Sequence, residues 1–365
     1  MIGTIIGAGV FALPAMFARL GLWPATAIFI VVTGAVLGMH LLYVQIATGF
    51  KENRRLAGYA KEVLGTSGSW VATVTYPLAE MGGLFAYLVL GGEFLASLSH
   101  QLGFGGTVVA WQLLFWFVGA VTVLFGLKAV AKVEAWVTWL LIATMVVVSV
   151  LALQAPVIER VAFYQWSELL TPFGIFLFSM FGLSVVGEVV DMTRPNKRIA
   201  MQAVMIGTLV SAVLSWVFAV SLFLTKGFSY GRGASALTEA MPLGWQWMIP
   251  LFGFLAVLTS FITVAQDLKA TWHLDFRVSK PIAWMLALGA PLLLLSILKR
   301  DFLATLDFVG AIFWSVNGML VALIALKTIK QRKVSSWWWA YAIPWFILVV
   351  FAVGFLQKLW YHQAI

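Results

Sequence analysis

The chain of 365 residues is 62% hydrophobic and only 10% charged, with a mean hydropathy of +0.99. Soluble domains are about 45–50% apolar and about 25% charged, so a water-soluble fold is excluded. The sequence has no cysteine and four scattered histidines, which excludes disulfides and thiolate metal sites. The net charge of +9 comes from short basic clusters between apolar runs. This pattern is typical of loops beside an anionic lipid leaflet and argues against a nucleic-acid partner.

Eleven apolar stretches approach or exceed the length of about 20 residues that a helix needs to cross the bilayer. In chain order they run approximately over 1–19, 22–48, 69–98, 107–127, 133–153, 172–190, 199–225, 245–265, 281–298, 302–326 and 337–356. We therefore predict one all-α integral membrane domain of about eleven transmembrane helices, surrounded by lipid.

The basic residues predict the orientation of these helices. If the amino terminus is cytoplasmic, 16 of the 23 Lys and Arg residues fall in cytoplasmic loops. The positive-inside rule then places the carboxyl terminus on the external side of the cytoplasmic (inner) membrane. The longest predicted external loop covers 227–244. Only six residues precede Gly7, or about 9 Å of helix, so we expect the natural chain to begin upstream of Met1.

The first apolar stretch contains three glycines and a proline within Gly3 to Pro14. Each glycine costs about 1 kcal/mol in a helix interior, and unwound backbone at membrane depth requires a cavity or a protein covering. A break here would free the amides of Gly7 to Gly9 for a substrate carboxylate and nearby carbonyls for a cation. Close helix packing through Gly3 and Gly7 explains the glycines equally well.

A second weak point lies five helices later, between Phe178 and Glu188, in a helix of opposite direction. Broken helices at corresponding positions of two antiparallel halves indicate a binding site at the interface of the repeats. The inverted repeat is predicted from topology and from these two glycine-containing stretches.

The run from Gly3 to Pro14 resembles the first helix of the amino acid, polyamine and organocation transporter superfamily. The stretch 178–203 is similar to the sixth helix and following loop of those permeases, through Gly182, Asp191, Pro195, Lys197 and Arg198. Ala86-Tyr87-Leu88, Thr259-Ser260-Phe261 and the number of helices point more narrowly to the amino acid/auxin and aromatic amino acid permease branches.

This resemblance implies a 5+5 inverted repeat with discontinuous helices 1 and 6 and one extra helix. The repeats would cover about 1–155 and 170–328, and the extra helix about 336–357. It also implies a substrate site between helices 1, 3, 6 and 8. The residues of this cradle would be Ile6, Gly7, Ala8, Gly9, Tyr87, Met180, Phe181 and Gly182.

Two coupling schemes remain open at the level of sequence. In sodium-coupled members of the superfamily a hydroxyl pair on the eighth helix helps to bind the ion, and Thr259 and Ser260 match that pair. Some proton-coupled members place a lysine in the fifth helix, but this chain has none after Lys132. Glu80 is a further candidate, because it lies near the middle of its predicted helix and a buried charge in a membrane favours function. No cofactor other than H⁺ or Na⁺ is expected.

We therefore predict a secondary active transporter that moves amino acids, aromatic or other neutral ones, by alternating access. An amino acid sensor or a germinant-receptor-like subunit with the same fold, binding without net transport, is the alternative. An enzyme is not expected, because the sequence has no paired carboxylates or histidine cluster in a polar loop. The particular amino acid, the transport direction and the oligomeric state do not follow from the sequence.

Overall fold

A computed structural model describes residues 1–125, 127–154, 169–194, 196–225, 244–332 and 339–363. Fifteen α-helices occur in these ranges. They are α1 (Ile2–Ile5), α2 (Leu13–Leu20), α3 (Leu22–Gly49), α4 (Leu56–Leu64), α5 (Thr66–Gln101), α6 (Val108–Leu124), α7 (Leu127–Gln154), α8 (Phe173–Met180), α9 (Leu183–Thr193), α10 (Lys197–Leu224), α11 (Met248–Leu274), α12 (Lys280–Ile297), α13 (Phe302–Phe308), α14 (Ser315–Arg332) and α15 (Trp339–Gln363). A 3₁₀ helix (Ala8–Phe11) lies between α1 and α2, and a π-helical turn (Val309–Trp314) between α13 and α14.

The helices confirm a multi-pass membrane protein. Within the described ranges, nine helical stretches are long and apolar enough to span a membrane. Two shorter apolar stretches, Ala8–Leu20 and Val108–Leu124, complete the predicted set of eleven. No strand occurs in the described part of the chain.

The two broken helices lie at the centre of the bundle. α1 and α2 form the first, α8 and α9 form the second, and nearly all their residues are buried. The third and eighth spans, α5 and α11, pack extensively against each other, as do the second and seventh, α3 and α10. These pairings of equivalent helices confirm the predicted inverted repeat with discontinuous helices 1 and 6.

The observed helices differ from the predicted ones in two places that matter for the site. The short helix α4 occupies a segment that the sequence analysis treated as a loop. α11 continues nine residues beyond the predicted end at 265, and it includes Asp267, which is buried and paired with Arg55 and Tyr76. The predicted external loop, 227–244, lies outside the described residues except for Gly244.

One end of the bundle, here called the basic face, contains α4, the segments 50–55, 196–198 and 275–280, and Arg194. Arg194 ties two of these segments together, because its guanidinium donates to the carbonyls of Ala47 and Lys51 at 2.8 and 3.1 Å. The opposite face contains Arg19, Lys299 and Asp301 at helix ends.

Candidate functional site

The first break lies between α1 and the 3₁₀ helix. The Gly7 amide donates to the Ile5 carbonyl at 2.9 Å, which interrupts the α-helical pattern, and regular bonding resumes with Val10 donating to Gly7. No hydrogen bond from the amides of Ala8 or Gly9 is found among the described residues. Both amides stand at the start of the segment leading into α2, and helix N-termini attract anions.

The second break separates α8 from α9. Phe181 is extended, with φ −73° and ψ 127°, and Gly182 precedes the first turn of α9. α9 therefore begins at the break, just as the 3₁₀ helix and α2 begin at the first break. Two helix N-termini and the C-termini of α1 and α8 meet in the middle of the bundle, where they offer both amides and carbonyls to a ligand.

The two breaks touch each other directly. The Ser179 hydroxyl donates to the Gly9 carbonyl at 2.9 Å. A Cβ atom on Gly9 would lie 2.5 Å from the Cα of Ser179, so only glycine permits this approach. At the second break, a Cβ on Gly182 would lie 2.9 Å from Cγ1 of Ile5. Gly9 and Gly182, two of the glycines that suggested the breaks, thus allow the two broken helices to come into contact.

Aromatic rings surround the second break. Tyr87 of α5 packs edge-to-face on Phe178, with ring centroids 6.0 Å apart. Phe181 stacks on Trp314 of the π-helical turn, with centroids 4.1 Å apart. The predicted cradle residues Ile6, Ala8 and Met180 are fully buried, and Tyr87 and Phe181 are at most 8% exposed. These predicted residues are therefore buried, and Trp314, which was not predicted from the sequence, lies against Phe181.

The hydroxyl pair of α11 lies against the first broken helix. Thr259 donates to the Gly3 carbonyl at 3.0 Å, and Ser260 lies 3.0 Å from the Thr4 carbonyl. These four oxygens form a compact donor set of the kind that hard cations prefer. Both residues of the predicted hydroxyl pair are therefore next to the first broken helix.

Glu80 lies fully buried on α5, about 21 Å along a helix of 36 residues. Neither carboxylate oxygen has a hydrogen-bond partner among the described residues. Its charged neighbours are Asp267, Glu188 and Arg55. A buried carboxylate without partners is costly when charged, and such groups mark proton or ion pathways in membrane proteins.

A buried ion network separates Glu80 from the basic face. Arg55, at the start of α4, contacts Asp267 of α11 at 2.5 Å and Asp191 of α9 at 3.0 Å. The Tyr76 hydroxyl, one turn before Glu80, donates to the second oxygen of Asp267 at 2.6 Å. The network therefore joins four helices from both repeats, α4, α5, α9 and α11, between the breaks and the basic face.

Asp275 fixes the start of α4 at the same place. Its carboxylate accepts hydrogen bonds from the amides of Arg55 and Gly58, each at 2.9 Å. Burial raises the pKa of the Asp275 carboxyl, and the two amide donors oppose that shift. Asp275 thus anchors α4 while the Arg55 side chain holds α9 and α11.

This network was not predicted from the sequence, although the spacing of polar residues in α11 indicates it. Thr259, Thr263, Asp267 and Thr271 are spaced four residues apart and are all buried. Such spacing places them on one helix face. The face runs from the first break to the basic face, but the predicted span ended before Asp267.

His40 of α3 is a further polar group at the second break. Its Nε2 atom accepts a hydrogen bond from the Gly182 amide at 3.0 Å, and its Nδ1 atom lies 3.1 Å from the Thr208 hydroxyl of α10. The ring is fully buried. His40 therefore connects the second and seventh spans to the second break.

A helical membrane protein in which two antiparallel broken helices meet at the centre has the architecture of a secondary transporter. The chain belongs to the tryptophan/tyrosine permease family, whose model matches residues 1–361. It is similar to glutamine transporter 2 of Aliivibrio fischeri, with 20% identity over 341 residues that cover 91% of this chain and 88% of the relative.

The fold is also similar to those of solved transporters. MhsT in complex with L-phenylalanine superposes with a TM-score of 0.73 at 15% identity, covering 98% of this chain and 96% of that one. The closed form of Mhp1 with bromovinylhydantoin bound gives a TM-score of 0.71 at 12% identity, covering 100% and 91%. The protein is therefore a membrane permease of the amino acid transporter class and not an enzyme.

Proposed function

We propose that the protein moves an aromatic or other large neutral amino acid across the cytoplasmic membrane by alternating access, driven by a proton gradient. The observation that carries this proposal is the meeting of two broken helices, with free amides on one side and aromatic rings on the other. The family's description, the glutamine transporter relative and the phenylalanine-bound fold neighbour support it.

In this proposal the substrate carboxylate binds the amides of Ala8 and Gly9, and its ammonium binds carbonyls at the C-termini of α1 and α8. The helix dipoles favour this arrangement, because helix N-termini attract the substrate carboxylate and helix C-termini attract the substrate ammonium. The side chain of the substrate packs among Tyr87, Phe178 and Phe181. An aromatic ring has good partners there, because offset and edge-to-face ring pairs contribute about 0.5–1.5 kcal/mol beyond burial.

Two closures alternate in this proposal. On the basic face, which we take to be cytoplasmic, the Arg55 network holds α4, α9 and α11 together. Beyond the first break, the Phe11 ring packs against Phe94 and Phe252, with centroids 4.8 and 5.1 Å apart. Opening either closure would expose the cradle to one side of the membrane only.

Glu80 is the proposed proton carrier. It lies one helical turn from Tyr76, which bonds Asp267 of the closure on the basic face. Protonation and deprotonation of Glu80 would change the charge directly above the Arg55 network and thereby bias its opening. A sodium ion bound by Thr259, Ser260 and the Gly3 carbonyl is the alternative coupling scheme, because these oxygens already lie together.

Uptake into proteoliposomes tests the proposal. Labelled phenylalanine, tyrosine, tryptophan and glutamine are supplied with a proton gradient or a sodium gradient imposed separately. Accumulation of an aromatic amino acid under the proton gradient alone is expected. Accumulation that requires sodium and is lost in Thr259→Val would instead establish the sodium scheme. Saturable binding without uptake under either gradient would indicate a sensor with the same fold.

A further inference from the structure

His40 is a buried titratable side chain that the proposed transport cycle does not use. It is fully buried on α3, and its two ring nitrogens contact Gly182 and Thr208. The charged groups of the neighbouring helices lie away from the ring along the helix axes. Glu188 is six residues beyond Gly182, about 9 Å along α9, Lys197 is at the start of α10, and Arg19 of α2 is on the opposite face.

The chemistry of the Gly182 contact dictates the tautomer of the ring. A peptide amide can only donate a hydrogen bond, so Nε2 must offer a lone pair and carry no proton. A neutral imidazole then has its proton on Nδ1, and the Thr208 hydroxyl oxygen accepts it. An imidazolium would present a donor on both nitrogens and would lose the Gly182 bond.

We infer that His40 is held as the neutral Nδ1–H tautomer and acts as a positioning residue that fixes the second break by occupying the Gly182 amide. A Cβ at Gly182 would lie 3.4 Å from Cε1 of His40, which is van der Waals contact, and 2.9 Å from Cγ1 of Ile5, so Ile5 is the neighbour that disfavours a side chain there. The ring thereby pairs one of the amides that a helix N-terminus leaves without an intrahelical partner.

A neutral hydrogen-bond acceptor for the Gly182 amide is favoured over a charged one at this position. A carboxylate could accept the same hydrogen bond, but its negative charge beside the cradle would repel a substrate carboxylate. The neutral ring satisfies the Gly182 amide without that charge. With this amide occupied, the amides of Ala8 and Gly9 are the proposed donors for the anionic end of the substrate. This consequence rests on the proposed function, whereas the tautomer does not.

Nitrogen-15 NMR of the histidine-labelled protein in lipid tests the tautomer directly. The chain has only four histidines, so the signals of His40 are those that disappear in His40→Gln. We expect a protonated Nδ1 and an unprotonated Nε2, unchanged between pH 5.5 and pH 8. An Nε2–H tautomer, or an imidazolium in that range, would overturn the inference whether or not the protein transports.

Uptake kinetics test the positioning role. In His40→Gln the amide oxygen can replace Nε2 as acceptor, whereas His40→Leu leaves the Gly182 amide unpaired. We expect KM to rise about tenfold in the leucine variant and less than threefold in the glutamine variant, because one unsatisfied buried amide costs about 1.4 kcal/mol. The pH profile of the glutamine variant should match that of the wild type.

Three results would overturn the positioning role. One is wild-type KM in His40→Leu, and another is equal impairment of both variants when both elute as monodisperse protein with unchanged helix content. The third is a pH profile that flattens in His40→Gln, since this would make His40 a titrating group. An absence of uptake by the wild type would instead count against the proposed function.

Discussion

The Nε atom of Arg55 lies 2.5 Å from Oδ1 of Asp267, although the two residues are 212 positions apart. Arg55 precedes α4 in the first half of the chain, and Asp267 belongs to α11 in the second half. The Arg55 side chain is only 3% exposed and the Asp267 side chain is fully buried. This pair therefore joins the two halves below the breaks, at the place where a path from the basic face would enter.

Replacing Arg55 should open that path. Arg55→Gln leaves the carboxylates of Asp267 and Asp191 without their cation, and breaking a buried pair typically costs about 3–5 kcal/mol. We expect the basic face to open and water to reach Thr263, one turn from Asp267. Thr263→Cys should react with a thiol reagent at least ten times faster when it is combined with Arg55→Gln than when Arg55 is present.

Arg54→Gln is the matched control for this experiment. Arg54 is the preceding residue, and its partners Glu52 and Glu62 are 75% and 38% exposed, so each of its surface ion pairs should contribute at most about 1 kcal/mol. The native chain has no cysteine, so the introduced one reports alone. Equal labelling in the Arg55 and Arg54 variants would show that the network does not close the path.

The contact between the breaks makes Gly9 intolerant of any side chain. The Cβ atom of Gly9→Ala would lie 2.5 Å from the Cα of Ser179, a backbone atom that cannot rotate away. We expect substrate affinity to fall at least tenfold, because the two broken helices must separate. Equilibrium binding of labelled substrate to purified protein measures this effect.

Gly289→Ala provides the control for Gly9→Ala within the membrane. No atom lies within 4 Å of a Cβ at Gly289 of α12, so the substitution should be neutral or stabilise the helix by up to about 1 kcal/mol. Wild-type affinity in Gly9→Ala would mean that the breaks need not touch for binding. The larger substitution Gly9→Val should abolish binding altogether.

The sequence predicted the broken helices because their cause is local. Three glycines and Pro14 within one apolar stretch are incompatible with an efficient straight helix. The central position of Glu80 could also be predicted, since an acid near the middle of a long apolar run stands out. In both cases the information lies within one helical segment.

The partners of these residues could not be predicted in the same way. The pairing of Arg55 with Asp267 and that of His40 with Gly182 depend on how distant helices pack, which no local pattern encodes. Asp267 was also placed outside the membrane, because an acid following an apolar run normally marks its end. It is tolerated inside because Arg55 and Tyr76 satisfy both of its oxygens.

The predicted orientation can be tested with single cysteines at Glu52 on the basic face and Lys299 on the opposite face. Both residues are exposed. Because the basic residues predict a cytoplasmic basic face, an impermeant thiol reagent added to intact cells should label Lys299→Cys and spare Glu52→Cys. Permeabilised cells should show labelling of both. The reverse pattern in intact cells would invert the assignment of the two closures.

Glu80→Gln should separate substrate exchange from substrate accumulation. Glutamine keeps the shape of the side chain but cannot carry a proton. Neither oxygen of the wild-type carboxylate has a hydrogen-bond partner among the described residues, and the neighbouring Tyr76 hydroxyl is bonded to Asp267. We therefore expect the variant to exchange internal for external amino acid at nearly the wild-type rate. It should fail to concentrate the amino acid under an imposed proton gradient, which lowers the accumulation ratio to about one.

Glu93→Gln is the matched control for the last prediction, because Glu93 lies on the same helix, is less deeply buried and is farther from the Arg55 network. Its accumulation ratio should remain that of the wild type. Both ratios come from proteoliposomes loaded at one pH and diluted into another, with an equal-pH dilution as reference. If Glu80→Gln accumulates substrate as the wild type does, with the same pH dependence, Glu80 carries no coupling proton. The hydroxyl pair Thr259 and Ser260 would then become the site to examine for coupling.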